Sequence, residues 1–401
     1  MKTLSRNSAL LALSLVLAAC RPAPREPVVP APVVPPPPAS EPEARENLES
    51  RLRRTPKLAS IMSEAAQRRF QVVVGVVSPD GKGWSTRDGF RADAEYIYPA
   101  SAIKLFSAVA ALEALTEMRE DGGADVDVDA GVVIDPSRRR RGPIATVGQL
   151  VNGALVMSDN DANNALFDIV GLDGIHARMW RMGLSTFRMR HRLGVGGGDD
   201  IRVSPRVDLL GGARPVVIAP REGRVDLGKN TEPGVLVGDS YFVGGRLVEE
   251  PMSFEDKNRV SLADLQRLLV AVTRPELSEE TLRLGTRERA VLVDALTTLP
   301  SAKGASVTID HEHKPFLAGL ERVVPRESLT VVSKSGRAYG FLVENAYVVD
   351  RRSDRAFFLA AAMYSNPNGR LNDDNYDYRP VAFPTFANLA ESVARLGFED
   401  G

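Results

Sequence analysis

The sequence predicts an α+β fold: one antiparallel sheet built from both ends of a globular region, with flanking helices and an inserted, mainly helical domain. Three observations carry this. A β-branched run, Gln71 to Val77, lies near the start of that region. Three more strand-like runs at hairpin spacing, Leu329 to Ser333, Phe341 to Val349 and Phe357 to Tyr364, lie near its end. Helical periodicity dominates much of what separates them.

The chain has 401 residues, 43% apolar and 26% charged, enough for one large or two ordinary domains in a soluble globular bulk. Residues 1–20 stand apart. Lys2 and Arg6 precede an apolar run from Leu10 to Val16, and Leu17-Ala18-Ala19-Cys20 follows, the order of a secretory signal peptide. The run is too short for a membrane span, which needs about 20 apolar residues. Cys20 is the only cysteine, which excludes an internal disulfide. Leu-Ala-Ala-Cys resembles the lipobox of bacterial lipoproteins. The resemblance implies a lipid on Cys20 and a place in the cell envelope, tethered to a bacterial membrane and facing the periplasm or exterior. Residues 21–45 are rich in proline, including Pro35 to Pro38, and read as an extended spacer of about 3.1 Å per residue. A net charge of -1 gives no argument for nucleic acid.

The region 46–401 then divides into an α/β part, 46–120 with about 327–401, and a helical part, about 121–326. Leu48 to Ala66 has helical spacing interrupted near Pro56, and Trp84 to Thr86 pairs with the first strand across the turn at Pro79-Asp80-Gly81. Pro99 stops the extended run, and Ser101 to Met118 reads as a buried helix. Thr146 to Leu155, Ala162 to Val170 and His176 to Met182 are expected helices. From about Leu193 to Asn258 glycine pairs and short valine runs predict loops and hairpins, with an extra lobe near 206–259. Leu262 to Val272 and Arg287 to Leu296 return to helix, and Phe386 to Leu396 closes the chain.

Three short motifs carry chemistry. Ser101-Ala102-Ile103-Lys104 puts a hydroxyl and an amine on one helix face. Serine is a poor nucleophile without a base, and a neutral Lys104 would supply one. Such a pair arises on the order of once by chance in a chain this long. The apolar neighbours Leu105, Phe106, Val109 and Leu112 nevertheless favour a buried lysine over a solvated one. Ser158-Asp159-Asn160 breaks an apolar region and either presents a hydroxyl and an amide to a cleft or caps the next helix. Lys334-Ser335-Gly336 ends a strand as a site for a substrate carboxylate, with Gly336 allowing close backbone approach, or is a plain turn.

In this order and these contexts, Ser-x-x-Lys, Ser-Asp-Asn and Lys-Ser-Gly resemble the three motifs of class A β-lactamases and penicillin-binding proteins. The likeness covers about residues 45–401. It implies Ser101 as nucleophile, Lys104 as its partner in proton transfer and Ser158 as relay to the leaving nitrogen. Asn160 would orient substrate and Lys104, and Lys334 and Ser335 would meet the carboxylate. The backbone N–H groups of Ser101 and Arg337 would form the oxyanion hole. The implied substrate is a β-lactam or a D-Ala-D-Ala-like amide or ester, handled by a monomer that needs no metal or organic cofactor.

The sequence departs from that family at one point. The Glu-x-x-Leu-Asn loop that activates water for deacylation is not found; Met189 to Leu193 and the glycines before Asp199-Asp200 stand in its place, and either aspartate, one methylene shorter, is a candidate to replace the glutamate. A slow-turnover penicillin-binding or cell-wall-binding protein is therefore the alternative. Asp310-His311-Glu312-His313 lacks metal-ligand spacing on a helix and reads as a polar loop, and Arg138 to Arg141 as a solvated one.

Overall fold

The structure is a computed structural model that describes residues 47–135, 144–196 and 199–398. The chain divides into two units, 1–45 and 46–401, and all described residues lie in the second. Cys20, the proline-rich spacer and Arg138 to Arg141 fall outside the described residues. Among the described residues no helix is long and apolar enough to cross a membrane.

After helix α1 (Leu48–Arg54), strands β1 (Gln71–Val77) and β2 (Trp84–Phe90) form a hairpin. The chain end supplies β3 (Leu329–Ala338), β4 (Phe341–Asp350) and β5 (Arg355–Tyr364). The sheet order is β3-β4-β5-β1-β2, wholly antiparallel, with Val74 opposite Leu359 where the two chain ends meet. Phe357, Leu359, Ala361 and Met363 of β5 face one core, and Phe358, Ala360 and Ala362 the other. Burial on both faces explains why the run is continuously apolar rather than alternating. The expected strand ending at Ser333 is longer than predicted: Lys334-Ser335-Gly336 lies inside β3, and the turn comes at Tyr339-Gly340, both at positive φ. Pairing with β4 continues through Ala338, which holds the motif extended.

Helix α2 (Lys104–Glu120) is preceded by a 3₁₀ turn, Ala100–Ile103, so Ser101 sits in that tighter turn. Every residue from Lys104 to Thr116 is buried, as a helix of small and apolar residues on all sides requires. Helix α3 (Val147–Leu155) opens on a capping box between Thr146 and Gln149. The two helices expected beyond Ser158 are one element, α4 (Asn160–Arg181), broken at Gly171, whose φ of 72° permits the kink. Then come α5 (Leu262–Thr273), α6 (Thr286–Thr297), α7 (Val307–His313), α8 (Leu317–Leu320) and, after β5, α9 (Phe383–Phe398). Asp310 to His313 is thus helical rather than a loop, because Ser301 bonds the Asp310 carboxylate through both backbone N–H and hydroxyl, at 2.9 and 2.6 Å.

The segment 206–259 runs as short ribbons. Val207–Leu210 pairs with Gly131–Ile134, and Ser240–Val243 pairs in parallel with Arg370–Leu371. Its last part meets the residues before the nucleophile: the Tyr96 hydroxyl donates to Asn258 O at 2.7 Å, and Tyr98 packs edge-on against Phe254.

On the other sheet face α8 lies against α9. A Cβ at Gly319 would stand 1.8 Å from the Ala387 carbonyl oxygen. Gly319→Ala is therefore expected to lower stability by about 1–3 kcal/mol, the usual cost of overpacking, read as a fall in denaturant midpoint. An unchanged midpoint would show that the α8–α9 contact yields.

Candidate active site

The turn Pro99–Ile103 presents Ser101, half-buried, at the junction of the sheet and the helical domain. Ala100 just before it has a φ of 46°, a strained backbone for a residue with a Cβ and one that surrounding structure must hold. Gly336 of β3 lies directly against this turn. A Cβ there would come within 2.6 Å of the Ser101 amide nitrogen, 2.5 Å of the Ala102 nitrogen and 2.3 Å of the Pro99 oxygen. Only glycine lets the β3 backbone approach that closely.

One turn along, the Lys104 ammonium is fully buried and donates to the Ser158 carbonyl oxygen and, at 3.3 Å, to the Ser158 hydroxyl. The same hydroxyl accepts from Lys334 at 3.2 Å, and Lys334 also donates to Ser335 O at 2.8 Å. Residues 104, 158 and 334 thus converge on one oxygen. Ser158 takes this place at a φ of 58°, between α3 and α4. Asp159 caps α4, its carboxylate accepting the Ala162 N–H at 2.9 Å. Ser158 thus turns its hydroxyl to the two lysines while Asp159 serves as the helix cap.

Burial sets the electrostatics. It lowers the Lys104 pKa to about 8 against the opposing pull of Asp159. Burial, then the charges of Lys104 and Lys314, drives Lys334 well below the usual lysine range. On the other sheet face, burial raises the Glu344 carboxyl to about 7 although it accepts from Ser333 at 2.9 Å and Phe316 N–H at 2.7 Å. Two ammonium groups sharing one hydroxyl repel each other, so the neutral form of one is favoured.

Two expected side chains, Asn160 and Ser335, sit differently. The hydrogen bonds of Lys104 go to Ser158, whereas the exposed Asn160 holds its amide against Gly194, where a Cβ would lie 2.5 Å from Nδ2. The Ser335 hydroxyl is engaged, donating to His313 O at 2.5 Å, because pairing with Glu344 turns it to the sheet face opposite Lys334. The Arg337 side chain is held by Glu312 at 2.8 Å and lies over the Phe383 ring.

In the described part of the loop after Met189 the two carboxylates, Asp199 and Asp200, both have bonds of their own. Asn164 clamps Leu193 through reciprocal bonds of 2.9 and 3.0 Å, and Leu193 is buried. Asp199 pairs with Arg192 at 2.9 Å, which also holds Asp168 at 2.6 Å; Asp200 accepts the Arg202 N–H of its own turn. Sequence reading missed the aromatic wall of Tyr98, Tyr339 and Phe254, with ring centroids 5.3 to 5.7 Å apart, and His313 beside Ser335. Tyr98 adjoins Pro99, but Phe254 is distant in sequence and carried no signal.

A base must be neutral, and that form of Lys104 gains as pH rises through its folded pKa. The Ser101 acylation rate is expected to climb as pH is raised through about 8 and then level, measured by stopped-flow; a flat profile would remove Lys104 as the base. Gly336→Ala, which pushes β3 off the Ser101 amide, is expected to cost about 10²-fold or more in that rate and also about 1–3 kcal/mol of stability, the usual cost of overpacking. Acylation at the native rate would show that the close approach is dispensable.

A profile of the β-lactamase enzyme family matches residues 54–284, more than half of the chain. No curated protein matches the chain. Among solved structures, a variant of the reconstructed class A β-lactamase of the last common ancestor of Gram-negative bacteria is similar at a TM-score of 0.51 and 17% identity, over 86% of this chain and 99% of that one. A β-lactamase from Streptosporangium roseum gives 0.50 and 17%, over 85% and 97%. The chromosome-encoded β-lactamase of Vibrio parahaemolyticus gives 0.50 and 12%, over 85% and 98%. Identities this low establish the fold, and the profile establishes the family. With that match, and with an edge strand that packs Gly336 against Ser101 and brings Lys334 to the hydroxyl that Lys104 also bonds, the chain belongs to the β-lactamase enzyme family and is a β-lactamase-like serine hydrolase.

Proposed function

We propose that Ser101 forms an acyl-enzyme with a β-lactam or a D-Ala-D-Ala-like amide or ester and that release of the acyl group is slow. The observation that carries this is the single Ser158 hydroxyl held between Lys104 and Lys334, beside a turn pressed against Gly336. Neutral Lys104 takes the Ser101 proton as Oγ bonds the substrate carbonyl carbon. The N–H groups of Ser101 and Arg337 receive the oxyanion, a kind of stabilisation commonly worth about 2.7 to 4 kcal/mol per donor. The C–N or C–O bond then breaks, and the leaving atom takes the Ser158 hydroxyl proton, which a lysine ammonium replaces. A substrate carboxylate meets Lys334 and restores its charge, because an opposite charge favours the ammonium.

Slow release is supported by the region after α4, where Leu193 is apolar and buried, Asp199 is ion-paired with Arg192 and Asp200 accepts the Arg202 N–H of its own turn. That observation favours a penicillin-binding, cell-wall-directed enzyme over an efficient antibiotic-destroying one. The lipobox-like Leu17-Ala18-Ala19-Cys20 supports anchorage at the cell envelope, facing the periplasm or exterior.

Incubation of the full chain in detergent with a labelled penicillin is expected to give a mass adduct on Ser101 that is absent in Ser101→Ala. Its turnover should lie below the roughly 1–10³ s⁻¹ usual for enzymes. Rapid appearance of ring-opened product would overturn slow release, and absence of any adduct would overturn the β-lactam reading.

A further inference from the structure

His313 ends α7 and takes no part in the steps above, yet it touches two segments that do. Its Nδ1 lies 3.2 Å from the Val156 carbonyl oxygen, two residues before Ser158. A carbonyl only accepts, so Nδ1 carries the proton. Its own backbone oxygen receives the Ser335 hydroxyl at 2.5 Å. The preceding Glu312 binds Arg337 through one carboxylate oxygen and Arg379 through the other, each at 2.8 Å. His313 therefore ties the stretch before Ser158 to the part of β3 that carries Lys334 and Gly336, and Glu312 adds a second tie from α7 to the same strand through Arg337.

That fastening matters because the shared hydroxyl has little tolerance. The contacts from Lys104 and Lys334 to Ser158 Oγ, 3.3 and 3.2 Å, are at the long end of hydrogen-bond range. A shift of a few tenths of an ångström between the turn and β3 breaks one of them and interrupts the proton route. We propose that Glu312 and His313 form a positioning clamp that holds Ser158 in reach of both lysines, and that protonating His313 loosens it. This rests on the acyl-enzyme reading of Ser101.

The groups facing His313 are Lys334 and Arg337 from β3, Glu312 from its own helix and the Val156 carbonyl at the end of α3. Burial, and then the Lys334 charge, hold its imidazole below the ordinary histidine range. The neutral ring is thus the resting form, and acid adds a cation beside Lys334 and Arg337.

Rates of Ser101 labelling by a penicillin and by a fluorophosphonate, which reports an activated serine whatever the natural substrate, test the clamp in the full chain. His313→Ala is expected to slow both by between about 10- and 100-fold, as misplacement of a catalytic group does. His313→Asn, whose amide still reaches a carbonyl acceptor, should recover most of the rate, and Glu312→Gln should fall between. The wild-type rate should steepen its fall on the acid side below the ordinary imidazole range, and His313→Asn should lose that steepening. A His313→Ala rate equal to wild type, an Asn variant as slow as Ala, or an acid limb unchanged by His313→Asn would each overturn the clamp. Fluorophosphonate labelling of wild type without penicillin labelling would sink the β-lactam reading while the fluorophosphonate rates still decide the clamp.

Discussion

The arrangement on which the rest depends is the burial of two lysines around one hydroxyl. An ammonium removed from water is costly unless it finds hydrogen-bond acceptors or loses its proton. Lys104 and Lys334 do the first through Ser158 Oγ and nearby carbonyls, and burial biases them toward the second. The surroundings fit this demand. Helix α2 is buried through Thr116, which seats Lys104 in a dry environment, and β3 is paired with β4 along its length, which holds Lys334 extended toward the same point.

Three segments far apart in sequence meet there, and each is held by a different device. Ser101 sits in a 3₁₀ turn after a strained Ala100, with Gly336 packed against its amide. Ser158 sits at positive φ between α3 and α4, with Asp159 capping the second helix. Lys334 belongs to the edge strand of a sheet whose other members come from both chain ends. Glycine, a cap and an edge strand are ordinary elements; their convergence on Ser158 gives them chemical meaning.

The side of the cleft formed after α4 is built for packing. Asn164 spends its amide on the backbone of Leu193, and the buried Arg192 forms ion pairs with both Asp168 and Asp199. These contacts tie the loop down. Phe254 of the 206–259 segment packs in the core with Tyr98 and Tyr339, which ties that segment to the residues just before Ser101.

The sheet and the three motifs were legible in the sequence because their signals are local: β-branched runs at hairpin spacing, a proline before Ser101, and short polar breaks in apolar stretches. The length of β3 past Gly336 was not legible, since pairing with β4 extends a strand that residue propensity would have ended at Ser333. The union of two expected helices across Gly171 was hidden because a left-handed glycine reads as a break whether or not the helix resumes. What the sequence by itself determined is the chemical inventory, a serine with a lysine three residues on, a second hydroxyl, a second lysine and no deacylating glutamate. The tertiary structure alone decided that both lysines share the Ser158 hydroxyl, that Ser335 turns to His313, and that Asp199 is spent on Arg192. These outcomes depend on which face of a strand or helix meets which neighbour, and that is fixed only when distant segments pack together.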